Sequence, residues 1–152
     1  MVDIESAGPI PGNYSTISIG AVVVDEQLDK TFYGQLSPIS DMFIPDALAV
    51  SGLSREETLL FDDPKSVLER LEKWMNDHVA GRPIFISDNN EFDWIFVCWY
   101  FHHFLGRNPF GFSSQNLGRL YKVMIKDMYQ NFKHLCTTEH THHPLDDAKG
   151  NA

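Results

Sequence analysis

The 152-residue sequence predicts an α/β domain built on a mixed sheet. Two observations lead to this prediction. The first third of the chain has the short, partly alternating apolar runs of strands, and the middle third carries apolar residues at helical spacing around one short apolar run. Strands followed by a helix, a strand and a second helix are typical of folds in which helices cover a sheet. No repeat or low-complexity tract divides the chain, so we expect one domain over residues 1–152.

Three strands are predicted near the start of the chain. Residues 1–5 are a candidate first strand. A mostly β-branched run at residues 17–24 predicts the second, and an alternating run at residues 31–36 predicts the third, which Pro38 ends. The short separation of the last two runs favours a hairpin.

Two helices are predicted in the middle of the chain. Ser54 followed three residues later by Glu57 is a capping-box pattern, and it predicts a short helix. Asp63 directly before Pro64 predicts the start of a longer helix, because Asp is a favoured cap and Pro is favoured at the first helical position. One apolar stripe then continues at helical spacing until Gly81.

A buried strand and further helices are predicted after this point. Residues 83–87 are short and apolar, as in a buried strand. The run from about residue 93 to residue 105 is apolar on nearly all sides, so it predicts a deeply packed helix. Residues 116–124 and 128–135 are weaker helix candidates.

The charge of the chain limits how it can bind nucleic acid. There are 21 acidic residues against 12 Lys and Arg, which gives a formal net charge of −9. Such a surface repels long phosphate backbones, which argues against duplex binding through a basic face. An acidic protein can still handle phosphates if bound cations present positive charge locally.

The sequence predicts neither a membrane span nor a secretory signal. Its longest apolar run, from Trp94 to Phe101, is far shorter than the roughly 20 residues that cross a bilayer. Its two cysteines, Cys98 and Cys136, are too few for a disulfide scaffold. We therefore expect a location in the reducing cytoplasm.

Asp3 and Glu5 are the first candidate site residues. On a strand, two residues separated by one other residue point to the same face, so these carboxylates repel unless a cation or a proton lies between them. Gly8 follows closely, and glycine lets the backbone approach a ligand. The alternative is a solvated strand edge, and the pair alone leaves both interpretations open.

Asp93 is the second candidate. It follows the predicted buried strand and opens the apolar helix, and ligands of open α/β sheets bind at such carboxyl ends of strands. The alternative is an ordinary residue at the start of a helix, which the helix dipole favours there.

The third candidate region is a run rich in histidine near residue 140. Three histidines and two aspartates stand close together: His140, His142, His143, Asp146 and Asp147. Histidine suits proton transfer near neutral pH. One alternative is an exposed polar tail. Another is a zinc site that uses Cys136, His140, His142 and one Asp, although this spacing is not a standard one for zinc.

Taken in order, three segments resemble the motifs of the DnaQ-like 3′–5′ exonucleases. Residues 3–8 (Asp-Ile-Glu-Ser-Ala-Gly) resemble the first motif, Asp-x-Glu-Thr-x-Gly. Residues 89–93 (Asn-Asn-Glu-Phe-Asp) resemble the second, Asn-x-x-Phe-Asp. Residues 142–148 resemble the third, in which a His precedes an Asp by five positions. On these motifs the chain is identified as a member of the DEDDh subgroup, which has four acids and one histidine.

The resemblance also has departures. Ser6 stands in place of the usual Thr, Asp88 stands where a His often precedes the second motif, and Pro144 replaces an Ala in the third. The sequence stops at Ala152, where the family normally continues into a helix, so we expect a domain without the usual C-terminal helix.

The resemblance implies a ribonuclease-H-like fold. In that fold one mixed sheet has five strands and is flanked by helices. Strands 1–3 are antiparallel, and strands 4 and 5 run parallel to strand 1.

The resemblance also implies the roles of the site residues. The catalytic acids and metal ligands would be Asp3, Glu5, Asp93 and Asp147. They would hold two divalent cations, Mg²⁺ or Mn²⁺, about 4 Å apart, with Asp3 bridging both. His142 would take the proton from the attacking water; His143 is the rival base, but its offset from Asp147 is one residue short. The nucleic-acid-binding residues would be Ser6, Ala7, Gly8, Asn89 and Phe92.

The activity implied is metal-dependent 3′–5′ exonuclease action. The partners would be the 3′ ends of single-stranded RNA or DNA, short oligonucleotides included, and the products would be nucleoside 5′-monophosphates. A homodimer is compatible with this resemblance. The competing hypothesis is a binding or interaction domain that has the nuclease fold but weak or no activity.

Overall fold

The computed structural model describes residues 1–136, 138 and 140–152. In these residues the strands are β1 (Val2–Ser6), β2 (Thr16–Val22), β3 (Thr31–Gln35), β4 (Phe85–Ser87) and β5 (Ser114–Asn116). The helices are α1 (Pro45–Val50), α2 (Arg55–Thr58), α3 (Pro64–His78), α4 (Asn90–Leu105), α5 (Leu117–Ile125) and α6 (Pro144–Gly150). No helix within the described ranges is long and apolar enough to cross a membrane.

The strands form two sheets, and the predicted single five-stranded sheet is wrong. β1, β2 and β3 form an antiparallel sheet in that order, whereas β4 and β5 pair with each other in parallel. β1 and β4 are in contact, yet no ladder joins them in the described part of the chain. β4 is only three residues long, so it offers few backbone groups for a second ladder beside its pairing with β5.

The helices with strong capping signals begin where the sequence predicts. The capping box of Ser54 and Glu57 is formed at the start of α2. At the start of α3, the Asp63 carboxylate accepts a hydrogen bond from the N–H of Ser66 at 3.0 Å. α4 begins at Asn90, earlier than the predicted start near residue 93, and ends at Gly106 in the left-handed conformation with φ of 67°.

The predicted helix at residues 128–135 is wrong, because only a 3₁₀ turn at Lys133–Leu135 forms there. Lys126 adopts a left-handed conformation and ends α5. The Asp127 carboxylate then accepts from the N–H of Tyr129 at 2.9 Å, and the Asn131 side chain accepts from the N–H of Lys133 at 3.1 Å. These hydrogen bonds offer the backbone an alternative to helix, as short polar side chains commonly do.

The three-stranded sheet is covered on both faces. α3 and α4 pack with one face and form the main core, which includes Ile4, Ile19, Leu68 and Phe96. α6 contacts β1 and β2 on the other face, where Ala148 packs against Val22. Because of this double cover, β2 is buried along its whole length.

Gly20 lets α6 approach the sheet closely. A Cβ atom at this position would lie 2.3 Å from the backbone nitrogen of Leu145, so the backbone at the start of α6 occupies the space of the missing side chain. Gly20 is the cross-strand partner of Asp3, and such partners face the same side of a sheet. The close contact therefore brings α6, and Asp147 with it, onto the face that carries Asp3.

Candidate active site

The four predicted acids come together from three separate elements. Asp3 and Glu5 lie at alternate positions of β1 and so share one face of it. Asp93 lies in the first turn of α4, and Asp147 lies in the first turn of α6. The fold thus places carboxylates from both ends of the described chain at one point.

These acids form two groups that share one member. Carboxylate oxygens of Asp3, Glu5 and Asp147 lie within 4.8 Å of one another. Oxygens of Asp3, Asp88 and Asp93 also lie within 4.8 Å of one another. Asp3 belongs to both groups, which is the position that the sequence resemblance implies for it.

Asp88 is a site residue that the sequence analysis missed. It directly follows β4, and its carboxylate forms an ion pair with the Lys133 ammonium at 2.7 Å. The signal was available, since Asp88 stands at the carboxyl end of a buried strand, where α/β sheets bind ligands.

Three buried carboxylate oxygens lack hydrogen-bond partners among the described residues. They are Oδ2 of Asp3, Asp93 and Asp147, in residues that are 7%, 1% and 3% exposed. Burying a charged group without a partner is costly, so these oxygens suit a ligand that supplies positive charge. Carboxylate oxygens are the donors that hard divalent cations prefer. The residues present therefore fit Mg²⁺ or Mn²⁺.

The acids also raise one another's pKa. Burial raises the pKa of Asp3 to about 9, and the nearby charges of Asp93, Glu5 and Asp147 add to this effect. Burial raises the pKa of Asp93 to about 8, although a hydrogen bond from Ser87 opposes the shift. Burial, with the charge of Asp147, raises the pKa of Glu5 to about 7. A divalent cation bound among these groups would displace their protons.

These pKa shifts predict that the metal-free protein loses stability as the pH rises. A carboxyl group with a raised pKa keeps its proton in the folded state after the unfolded chain has released it. The protonated carboxyl groups therefore stabilise the fold fully at low pH. This stabilisation is lost as the pH rises from the carboxyl pKa near 4 of the unfolded chain to the pKa of about 7 to 9 in the folded state. A bound cation replaces the protons and should remove this loss.

Thermal unfolding measured from about pH 5 to about pH 9 tests this prediction. Without metal, in a chelating buffer, we expect the melting temperature to fall across this range because of the pKa values above. With millimolar Mg²⁺ or Mn²⁺, the melting temperature at the upper end should rise, and Na⁺ at equal ionic strength serves as the control. A metal-free protein that becomes more stable towards pH 9 would contradict the prediction.

The histidines of the third motif face different partners. Nδ1 of His142 lies 3.9 Å from Oε1 of Glu5, and the residue has a φ of 57°. The ring of His143 instead stacks on Tyr33 with centroids 4.6 Å apart, and its Nδ1 lies 3.3 Å from an Asp146 oxygen. His142 is therefore the histidine of this pair that is directed towards the acid cluster.

The zinc alternative is partly supported by the geometry. Ligand atoms of His140, His142 and Asp147 lie within 4.8 Å of one another. Cys136 is not in this group, but it lines a cavity of about 160 Å³ together with His140 and Asp147. In the described residues, the two histidines and Asp147 thus form a third cluster, which differs from the other two in its nitrogen donors.

A groove beside Glu5 contains three of the predicted nucleic-acid-binding residues. It measures about 360 Å³, and its lining is Glu5, Ser6, Gly8, Pro9, Ile44, Ala47, Val50 and Phe92. Two of these, Ala47 and Val50, come from α1, a helix that the sequence analysis did not predict. A mostly apolar wall next to an acid cluster suits a nucleobase whose phosphate lies at the acids.

The other two predicted nucleic-acid-binding residues lie elsewhere. Ala7 is fully buried, and its carbonyl accepts from the N–H of Ile44 at 2.8 Å, which fixes the segment before α1. Asn89 is exposed, and its carbonyl accepts from the N–H groups of Phe92 and Asp93 at the start of α4. Ala7 and Asn89 therefore do not line the groove. Their carbonyls help to position the groove wall and Asp93.

The chain is similar in sequence to known exonucleases. A family model described as the 3′-5′ exoribonuclease Rv2179c-like domain matches residues 1–152. The 3′-5′ DNA exonuclease Cap18 of Escherichia coli is 42% identical over 123 residues, which are 79% of this chain. The chain spans 65% of the length of that relative.

Solved structures of nucleases have a similar fold. The nuclease domain of 3′hExo, a DEDDh family member bound to rAMP, has a TM-score of 0.77 at 19% identity, over 98% of this chain and 84% of that one. Cell-death related nuclease 4 has a TM-score of 0.75 at 15% identity, over 98% and 59%. E. coli Exonuclease I in complex with a dT13 oligonucleotide has a TM-score of 0.75 at 15% identity, over 99% and 38%. At these identities the likeness concerns the fold.

Proposed function

Because the chain belongs to the family of Rv2179c-like 3′-5′ exoribonuclease domains, we propose that it is a metal-dependent 3′–5′ exonuclease. It would hydrolyse the last phosphodiester bond at the 3′ end of single-stranded RNA or DNA and release nucleoside 5′-monophosphates. The observation that carries this proposal is the position of Asp3, which belongs to both three-carboxylate groups. One carboxylate shared by two cation sites is the arrangement that a two-metal phosphodiester hydrolase needs.

The two groups suggest how the cations would be held. Asp3, Glu5 and Asp147 would bind one ion, and Asp3, Asp88 and Asp93 would bind the other. Mg²⁺ or Mn²⁺ ions in such sites neutralise the phosphodiester charge, activate the attacking water and stabilise the leaving 3′-oxygen. Local positive charge of this kind also explains how a chain of net charge −9 could accept a nucleic-acid end.

His142 would be the general base of the reaction. It would take the proton of the attacking water, as histidine can near neutral pH. Its Nδ1 already lies 3.9 Å from the Glu5 carboxylate, beside the first cation group. Glu5 also borders the apolar groove with Ser6 and Phe92, and there we place the terminal nucleobase.

RNA and DNA are both candidate substrates. The matching family is described as exoribonucleases, whereas the E. coli relative is named a DNA exonuclease. We propose that the chain acts on single-stranded ends of either sugar, short oligonucleotides included. A test must therefore compare RNA and DNA directly.

A cleavage assay tests the proposed function. Short RNA and DNA oligonucleotides of the same sequence, labelled at the 5′ end, are incubated with the protein and Mg²⁺ or Mn²⁺. We expect a ladder that shortens from the 3′ end, release of nucleoside 5′-monophosphates, and no reaction with a chelator. A 3′-phosphorylated oligonucleotide is the matched control, because a blocked end should slow an exonuclease and leave an endonuclease unaffected.

The competing hypothesis predicts a different result. A binding domain with the nuclease fold would retain the oligonucleotides on a filter but leave their length unchanged. Absence of shortening with both sugars and both ions would support that hypothesis and contradict ours. The presence of all five residues of the exonuclease motifs, including His142 and Asp147, supports the active enzyme.

We also propose that the chain can form a homodimer and that it is located in the cytoplasm. A homodimer can be tested by sedimentation velocity at several protein concentrations. A cytoplasmic location can be tested by fractionation, and Cys98 and Cys136, both free thiols, are compatible with a reducing compartment.

A further inference from the structure

The cluster of His140, His142 and Asp147 has a different chemistry from the two carboxylate groups. It offers two imidazoles and one carboxylate, with ligand atoms within 4.8 Å of one another. Imidazole is a borderline donor that favours zinc, whereas groups of carboxylates alone favour Mg²⁺ or Mn²⁺. The chain thus brings two kinds of metal ligand to neighbouring positions.

Asp147 has one carboxylate oxygen available for such an ion. Its Oδ1 accepts from the N–H of Thr141 at 2.9 Å, which holds the side chain in place. Its Oδ2 has no hydrogen-bond partner among the described residues, and the side chain is only 1% exposed. Nδ1 of His140 lies 3.1 Å from this oxygen, a close approach without hydrogen-bond geometry.

The two imidazoles can reach the same point. Their ring centroids are 4.3 Å apart, and the side chains are 51% and 45% exposed, so both rings have room to turn. Ligands of a tetrahedral zinc ion lie about 3.4 Å from one another at the usual bond lengths. Nδ1 of His140 and Oδ2 of Asp147, 3.1 Å apart, already lie at about this spacing.

We propose that His140, His142 and Asp147 form an inhibitory zinc site that overlaps the catalytic site. Asp147 also belongs to the group of Asp3 and Glu5, and His142 is the proposed base. One zinc ion bound by this cluster would therefore remove a cation ligand and the base from the reaction at the same time. The inhibition rests on the proposed function, whereas the binding of zinc does not.

A cavity of about 160 Å³ borders the cluster. Cys136 and Lys133 line the cavity next to His140 and Asp147. The Lys133 ammonium pairs with Asp88 at 2.7 Å, so its charge is already balanced. Cys136 lies outside the three-ligand cluster and provides a control position.

A binding experiment tests the site without using nuclease activity. It uses the Asp3→Asn variant, which removes the carboxylate shared by the other two groups, alone and combined with His140→Ala or His78→Ala. Zinc affinity is measured by competition with a chromophoric chelator, and Co²⁺ absorption reports tetrahedral coordination. We expect His140→Ala to weaken zinc binding by at least about tenfold and His78→Ala, on an exposed face of α3, to change nothing. Equal affinity in all three proteins would overturn the proposal.

An inhibition experiment tests the overlap. Nuclease rates are measured at fixed Mg²⁺ and increasing Zn²⁺, each relative to the zinc-free rate of the same variant. We expect His140→Ala to raise the half-inhibiting zinc concentration by at least about tenfold, while Cys136→Ser leaves it unchanged. An unchanged value in His140→Ala would mean that zinc displaces Mg²⁺ from the carboxylate groups, and the inhibitory site would be wrong. A protein that binds zinc through His140 but cleaves nothing would contradict the proposed function alone.

Discussion

Asp3→Asn is expected to lower nuclease turnover by about 10³-fold or more, the largest effect of any single substitution in the site. The physical reason is that Asp3 contributes an oxygen to both cation groups, so one substitution weakens both. The same change should raise the melting temperature of the metal-free protein at about pH 8. There the amide carries no charge, whereas burial and neighbouring acids oppose ionisation of the native carboxylate.

Mononucleotide release and thermal unfolding, measured on the same preparations, decide this prediction. Asp146→Asn is the matched control, because Asp146 lies next to Asp147 on α6 but is 61% exposed and faces His143. Exposed substitutions of this kind have small effects, so its activity should stay within about twofold of the parent. Loss of activity in Asp146→Asn, with Asp3→Asn still active, would mean that the wrong carboxylates have been assigned.

His142→Ala is expected to lower turnover by roughly 10²- to 10⁴-fold, the range for the loss of a general base. Mn²⁺ affinity should be largely kept, because the two carboxylate groups stay intact. The acidic limb of the pH–rate profile, which reports the base, should also disappear or move. Turnover with a short oligonucleotide and Mn²⁺ binding by calorimetry provide the two measurements.

His143→Ala is the comparison for this prediction. Its ring stacks on Tyr33 at a centroid distance of 4.6 Å, so its loss should affect local packing more than proton transfer. We expect a much smaller fall in turnover and an unchanged pH–rate profile. If His143→Ala is the more damaging of the two substitutions, the base is His143 and the five-residue offset has selected the wrong histidine.

Elements with local signals could be predicted from the sequence, and those that depend on tertiary contacts could not. α3 has an Asp cap, a Pro at its first position and an apolar stripe, and all three are visible in the sequence. β5 consists of three polar residues, Ser114–Asn116, and it is a strand because it pairs with β4. α6 lacks a side-chain cap at His143, and Pro144 at its first position is a weaker local signal than the combined signals of α3.

The sequence motifs predicted most of the residues of the site. The three motifs pointed to Asp3, Glu5, Asp93 and Asp147, and the fold brings these four together. The position of Asp88 directly after the buried strand β4 is visible in the sequence, whereas its grouping with Asp3 and Asp93 depends on the fold. The clustering of His140 with Asp147 also depends on the position of α6, which no local pattern specified.

The contact between Gly20 and α6 has a consequence for protein engineering. Replacing a strand glycine by alanine is a common stabilising substitution, since it reduces the freedom of the unfolded chain. At Gly20 the added methyl group would lie 2.3 Å from the backbone of Leu145, so α6 would have to move outward. Asp147 would move with it, away from Asp3. A thermostabilised variant should therefore keep glycine at this position, although the residue carries no reactive group.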